Sequence, residues 1–171
     1  NVAVGFEAGK GITTAVNNTL IGGLAGDSLT TGSANVAVGV EALATEDAHG
    51  LNVAVGYRAL KTLNAGAEGY NVAVGSNAGG AMTTGAQNAI LGASAGDSLT
   101  EGSFNTVLGA FALATSADGD YNTAVGYKAL QDYEDGNGNG HNTAVGSKSQ
   151  LNASTGEFNT SLGSLSMGVG V

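Results

Sequence analysis

Ten times along this chain one short phrase returns: Asn, two small or aliphatic residues, a Val, Ile or Leu, then Gly. It starts at Asn1, Asn18, Asn35, Asn52, Asn71, Asn88, Asn105, Asn122, Asn142 and Asn159. The spacings are 17, 17, 17, 19, 17, 17, 17, 20 and 17 residues. A fixed short period means one structural unit stacked on itself. Such a chain builds a rod, and its function lies on the rod's surface and at its ends.

Numbering each unit from its Asn, position 4 is always a larger aliphatic, from Val4 to Leu162, and position 5 is always Gly. Position 8 is Ala in eight units, then Ser149 and Ser166. Positions 1 to 4 read as a short strand. Gly at position 5 turns the chain, positions 6 to 9 read as a second short strand, and the Thr, Gly, Ser, Asp and Asn that follow close the coil. Seventeen residues with a Gly in each unit are too few for two packed helices. The fold class is therefore all-β: a parallel β-solenoid of about ten coils, forming one domain over residues 1–171. Identical residues then stack in columns, and the ten asparagines form a ladder from coil to coil.

The core is thin and packed. Where position 9 is Gly (Gly9, Gly26, Gly79, Gly96), position 12 is aliphatic (Ile12, Leu29, Met82, Leu99). Where position 9 is Leu (Leu43, Leu60, Leu113, Leu130), position 12 is Glu46, Leu63, Ser116 or Tyr133. Exchange of bulk between two positions at constant volume is what a tight core demands. A second period lies over the first. Ala-Gly-Asp-Ser-Leu-Thr recurs at 25–30 and 95–100, and the long coils share Ala-Val-Gly-Tyr followed by Arg58 or Lys128. The super-repeats are 1–70, 71–141 and a partial 142–171. The chain opens on a repeat Asn and stops within a repeat, so a longer chain is expected.

The 171 residues carry 5 basic and 14 acidic side chains, a net charge of -9, which disfavours nucleic acid and anionic membranes as partners. With no cysteine there is neither disulfide nor thiol chemistry. No segment is long and apolar enough to span a membrane as a helix, and no signal peptide is evident. Position 3 is apolar in nine of ten units, including Leu20, Ile90 and Val107. Taking positions 2 and 4 as the inner face, these three face outward. A strand apolar on both faces is covered on both, so they form an expected oligomer interface.

The phrase Asn-Val-Ala-Val-Gly, followed by two variable residues and Ala, resembles the head repeats of trimeric autotransporter adhesins of the YadA type and the repeats of phage tail fibres. The resemblance spans essentially the whole chain. It implies a left-handed parallel β-roll, three chains around an axis, and attachment to a surface or host, extracellular on a cell or a virion. The coils here are longer than that head's. No neck, stalk or anchor is present, and the four-coil period is not a feature of the family.

Gly-Asp-Ser-Leu at 26–29 and 96–99 heads a family of serine esterases, but a nucleophilic Ser needs a positioned base. The chain has only His49 and His141, both in variable loops. The repeat of the motif in step with the coils gives Leu29 and Leu99 a packing role instead. No enzymatic activity and no cofactor is expected. Asp135, Asn137 and Asn139 match the first half of a calcium loop whose closing Glu is missing, a weak metal candidate. The Asn17, Asn152 and Asn159 triplets for glycosylation are coincidental, and Asn159 belongs to the ladder. The long loops carry Tyr70, Tyr133, Glu134, Asp135 and His141, the expected binding residues for a surface receptor or glycan. Three functions follow in descending order: an attachment module, a purely structural filament stacked end to end, and an ice-binding array using Thr13-Thr14, Thr30-Thr31 and Thr83-Thr84.

Overall fold

The computed structural model describes residues 1–133, 139–153 and 155–167. Ten three-residue strands appear: β1 (Val2–Val4), β2 (Thr19–Ile21), β3 (Val36–Val38), β4 (Val53–Val55), β5 (Val72–Val74), β6 (Ala89–Leu91), β7 (Thr106–Leu108), β8 (Thr123–Val125), β9 (Thr143–Val145) and β10 (Thr160–Leu162). They form one parallel sheet in chain order, each strand pairing only with its sequence neighbours. The register carries position 2 onto position 2 at every joint, including those spanning the long coils (Val53 with Val72, Thr123 with Thr143). The chain is a parallel β-solenoid, one wrap per repeat. Extra residues in the long coils are absorbed outside the sheet.

Position 5 shows why Gly recurs. Its φ is +137° at Gly5, and a Cβ there would lie 2.5 Å from the carbonyl oxygen of Gly22 in the next coil. Backbone of one coil thus rests directly on backbone of the next, in a conformation L residues rarely adopt.

Positions 6 to 9 are not a strand. The chain turns repeatedly there, with left-handed φ at position 7 (Glu7, Leu24, Glu41, Arg58, Lys128 among others) and at position 9 (Gly9, Leu43, Leu60). Alternate amides divide their work. Ala8, Lys10 and Ile12 N–H groups bond within the coil, to the carbonyls of Gly5, Glu7 and Gly9 respectively in three short turns, while Gly9 and Gly11 donate to Ala25 and Asp27 of the next coil. Left-handed non-Gly residues cost on the order of 1 kcal/mol each, and the amide bonds between coils hold them there. The residue just before each ladder Asn is left-handed too, as at Asn17, Leu51, Tyr70, Tyr121 and Phe158.

The core is filled from positions 3, 8, 9 and 12. Leu20, Ile90 and Val107 are completely buried in it, along with Leu29, Leu43, Leu60, Met82, Leu99 and Leu113. The expectation that Leu20, Ile90 and Val107 form an outward interface is therefore corrected: they point inward. The reason is parity. The ladder asparagines lie inside, and alternate strand residues share a face, so position 3 goes in with position 1, and positions 2 and 4 go out. A Cβ on Gly26 would meet the Leu20 side chain at 2.9 Å, and one on Gly79 would meet the Ile90 side chain at 3.3 Å. Position 3 thus joins positions 9 and 12 in the volume exchange.

Candidate binding surfaces

The ladder is the frame on which every surface column is hung. From Asn18 to Asn142 each ladder asparagine is essentially buried. Its Oδ1 accepts the backbone N–H of the next ladder asparagine, as in Asn18 to Asn1 at 2.9 Å and Asn88 to Asn71 at 3.0 Å. At many joints the next side-chain amide also donates to that oxygen, as from Asn105 to Asn88 at 3.1 Å. The remaining amide hydrogen goes to a carbonyl where the same coil closes, as from Asn71 to Gly85 and Asn88 to Gly102, both at 2.9 Å. The two long coils break this rule. Asn52 turns to Gly50 behind it, and Asn122 Nδ2 is buried without a partner.

Three surfaces follow. The first is the sheet's outer face, where an aliphatic column at position 4 runs the length of the sheet beside Val, Ala or Thr at position 2. Val2, Val4, Ile21, Val72, Val74, Leu91, Leu108 and Leu162 are all exposed on it. This face was the missed site. The signal was present: a ladder Asn inside fixes the parity of everything after it.

The second surface is an aromatic column at the left-handed position before the Asn. Phe104, Tyr121, His141 and Phe158 stack in parallel, with centroid separations of 4.8, 4.7 and 4.9 Å and planes within 6°. The spacing is that of parallel strands, so the coil repeat itself enforces the stack. Of the expected loop residues, His141 joins this column and Tyr70 is exposed at the same coil position. Tyr133 is corrected: it is completely buried at position 12 and fills core volume. Glu134, Asp135 and Asn137 lie outside the described residues, and Asn139 is exposed with its backbone bridged to Asp120. Among the described residues no cluster of three His, Cys, Asp or Glu could hold a metal ion, and no helix is long and apolar enough to cross a membrane.

The third surface is the corner past Gly5, built by positions 6, 7 and 10. In the first super-repeat Arg58 Nε lies 2.8 Å and Lys61 Nζ 2.7 Å from Glu41 Oε2, and the guanidinium lies over the Tyr57 ring. The two cations hold the Glu41 carboxyl below its ordinary value, Lys61 first and Arg58 second, and Glu41 in turn raises Arg58. At the equivalent corner of the second super-repeat, Phe111 and Tyr127 meet edge to face at 6.2 Å, and Lys128 Nζ lies 5.9 and 5.5 Å from their centroids.

The closing loops use their hydroxyls internally. Thr13, Thr30, Thr83 and Thr100 Oγ1 each donate to a carbonyl of the following coil, at 2.9 to 3.1 Å. Leu29 and Leu99 of the Gly-Asp-Ser-Leu segments are core residues. Glu46, at position 12, is fully buried. Its carboxylate accepts the His49 and Ala65 amides at 3.0 and 3.1 Å, and Glu68 of the long loop reaches back to the Gly50 amide at 2.9 Å. No family model, no curated protein and no solved structure matches this chain.

Proposed function

We propose that this chain is a rigid module of an extracellular attachment fibre, in which further copies, three around a common axis, pack against the outer face of the sheet. The observation that carries the reading is that face. An aliphatic residue at position 4 stands on all ten strands, beside Val, Ala or Thr at position 2, while the acid-rich closing loops lie elsewhere on the coil. A contiguous exposed apolar strip of this kind is characteristic of a surface that another protein covers, and both faces of an all-parallel sheet are ordinarily buried. The stacked backbone gives the stiffness that a spacer between a base and a binding tip needs. The remaining corners, repeated in every copy, add weak contacts to a surface receptor or glycan by avidity.

Sedimentation equilibrium of the intact chain tests the reading. A trimer is expected at micromolar concentration, and the double variant Val74→Lys, Leu91→Lys is expected to run as a folded monomer with an unchanged β circular dichroism spectrum. A wild-type chain that stays monomeric at that concentration overturns it.

A further inference from the structure

Five basic side chains occur in this chain, all at position 7 or 10 of a coil. Lys10 pairs with Glu7, and Arg58 and Lys61 pair with Glu41. Among the described residues no carboxylate lies within ion-pair distance of the other two, Lys128 and Lys148. In a protein with a net charge of -9, two neighbouring cations without an acid among the described residues call for a reason. They are neighbours by construction: Lys148 N–H donates to Tyr127 O at 2.8 Å, Lys128 N–H donates to Ala110 O at 3.0 Å, and so the two lysines occupy position 7 of successive coils. Coils stacked about 4.8 Å apart place two like charges side by side, an arrangement that an anion between them relieves.

The first super-repeat shows what fills such a corner. Tyr57 and Arg58 correspond to Tyr127 and Lys128, and Glu41 supplies the carboxylate from the coil before. In the second, Phe111 takes the place of Glu41, Gln131 that of Lys61, and Lys148 that of Asn77. The internal acid has been exchanged for an aromatic ring, and a second cation has been added. Phe111 and Tyr127 are 41% and 46% exposed, and the Lys128 ammonium lies against both rings. An open pair of perpendicular rings beside the Lys128 ammonium, with Lys148 at the same position of the next coil, suits a ligand with an apolar ring face and a carboxylate. The stacked column of Phe104 and Tyr121 does not, because its ring faces cover one another.

We propose that the corner of Phe111, Tyr127, Lys128 and Lys148 binds an acidic sugar residue, with its carboxylate at the two ammonium groups and its pyranose ring against the aromatic pair. This names the ligand class for the attachment reading and rests on it only for the biological setting. Binding of a free sugar is measured on the soluble chain whatever its oligomeric state, so the two fail separately. The test is a titration of the isotope-labelled full chain, followed by amide chemical shifts, with sodium glucuronate, glucose and sodium acetate. Glucuronate is expected to give saturable shifts at Phe111, Tyr127, Lys128 and Lys148, with glucose and acetate each weaker by about tenfold or more. Lys128→Gln is expected to weaken glucuronate by about tenfold. Phe111→Glu, which recreates the first corner, is expected to abolish it. Absence of shifts at these four residues, an equal response to glucose or to acetate, or full binding by Lys128→Gln overturns the proposal. Lys128→Gln changes only an outward side chain, so the test stands even where Phe111→Glu does not fold.

Discussion

The two complete super-repeats have the same kind of inside and different outsides. Inside, Leu20 and Ile90 occupy the same place over Gly26 and Gly96, and Leu29 and Leu99 close the same layer. Outside, one corner is a closed ion network of Glu41, Arg58 and Lys61, and its counterpart is an open aromatic pair with Lys128. The lesson is where such a rod is free to vary. Inward columns are constrained by the coil above and the coil below at once, because each residue there packs against two neighbours 17 or so positions away. Position 7 is held by its backbone, and its side chain leaves the stack. Left-handed φ at that position directs the chemistry outward without disturbing the ladder.

The largest expected effect breaks or confirms the inside-outside division. Leu20→Ala and Ile90→Ala each remove a fully buried side chain from a tightly packed layer. Each is expected to cost about 3 kcal/mol in urea unfolding. Ile21→Ala, one residue along from Leu20, is expected to cost less than about 1 kcal/mol in the monomeric Lys-substituted background, since its side chain already faces water. Equal costs at neighbouring positions would refute the parity assigned to the strand.

A second contrast lies at position 12 of the two shorter coils that precede the long ones. Glu46 holds the His49 amide and, across to the long loop, the Ala65 amide. Its counterpart Ser116 is equally buried and accepts only the Gly119 amide, at 3.3 Å. Glu46→Ala leaves two donors without acceptors and is expected to cost about 2 to 3 kcal/mol, against about 1 kcal/mol for Ser116→Ala. Amide exchange should quicken at Ala65 in the first variant and leave the second long loop untouched. Equal destabilisation, with no change at Ala65, would show that the carboxylate does not clasp the loop.

These contrasts also mark what the chain of letters discloses. The period, the parallel stacking, the Asn ladder and the trade of volume between positions 9 and 12 are all legible, because each is a column and columns repeat. Strand parity was harder. Position 3 is mostly Ala, which sits equally well in a core or in water, and the larger Val residues at positions 2 and 4 point to the wrong face. Left-handed backbone at Glu7, Arg58, Leu60 or Phe111 carries no local sign, since neither Gly nor Asn stands there. Tyr133 looks like a loop aromatic and is a core filler. Of the third surface only the recurrence of Tyr followed by a basic residue is visible in sequence. That Glu41 answers one of those cations and nothing described answers the other depends on which coil lies next to which.

The ion network gives the comparison a pH axis. Glu41 has its folded pKa below the ordinary 4.5 because Lys61 and Arg58 favour its charged form. A depressed carboxylate stabilises the fold above its unfolded pKa, and loses that contribution as pH falls through the folded value. The difference in melting temperature between wild type and Glu41→Gln is therefore expected to favour wild type at neutral pH and to shrink below pH 4.5. It should also shrink in high salt, because the group stands partly open to solvent. Phe111→Glu should impart the same dependence to the second corner through Lys128. A wild-type advantage that persists undiminished into acid would mean that Glu41 contributes by packing and not by charge.

The smallest effect has the opposite sign and again separates the two repeats. Asp97 stands at position 10 of its coil with Gly80 beneath it, where the matching Asp27 has Lys10. A Cβ on Gly80 would lie 2.9 Å from Asp97 Oδ1, so backbone crowds the carboxylate from below and no cation comes with it. Partial burial raises its pKa above the ordinary 3.8. A raised carboxylate costs stability above its folded pKa, where the fold must hold the charge, and that cost vanishes as pH falls below the unfolded value. Asp97→Asn is therefore expected to melt slightly higher than wild type at neutral pH and level with it at about pH 3. A variant that melts no higher than wild type at neutral pH would show that burial of this carboxylate costs the fold nothing.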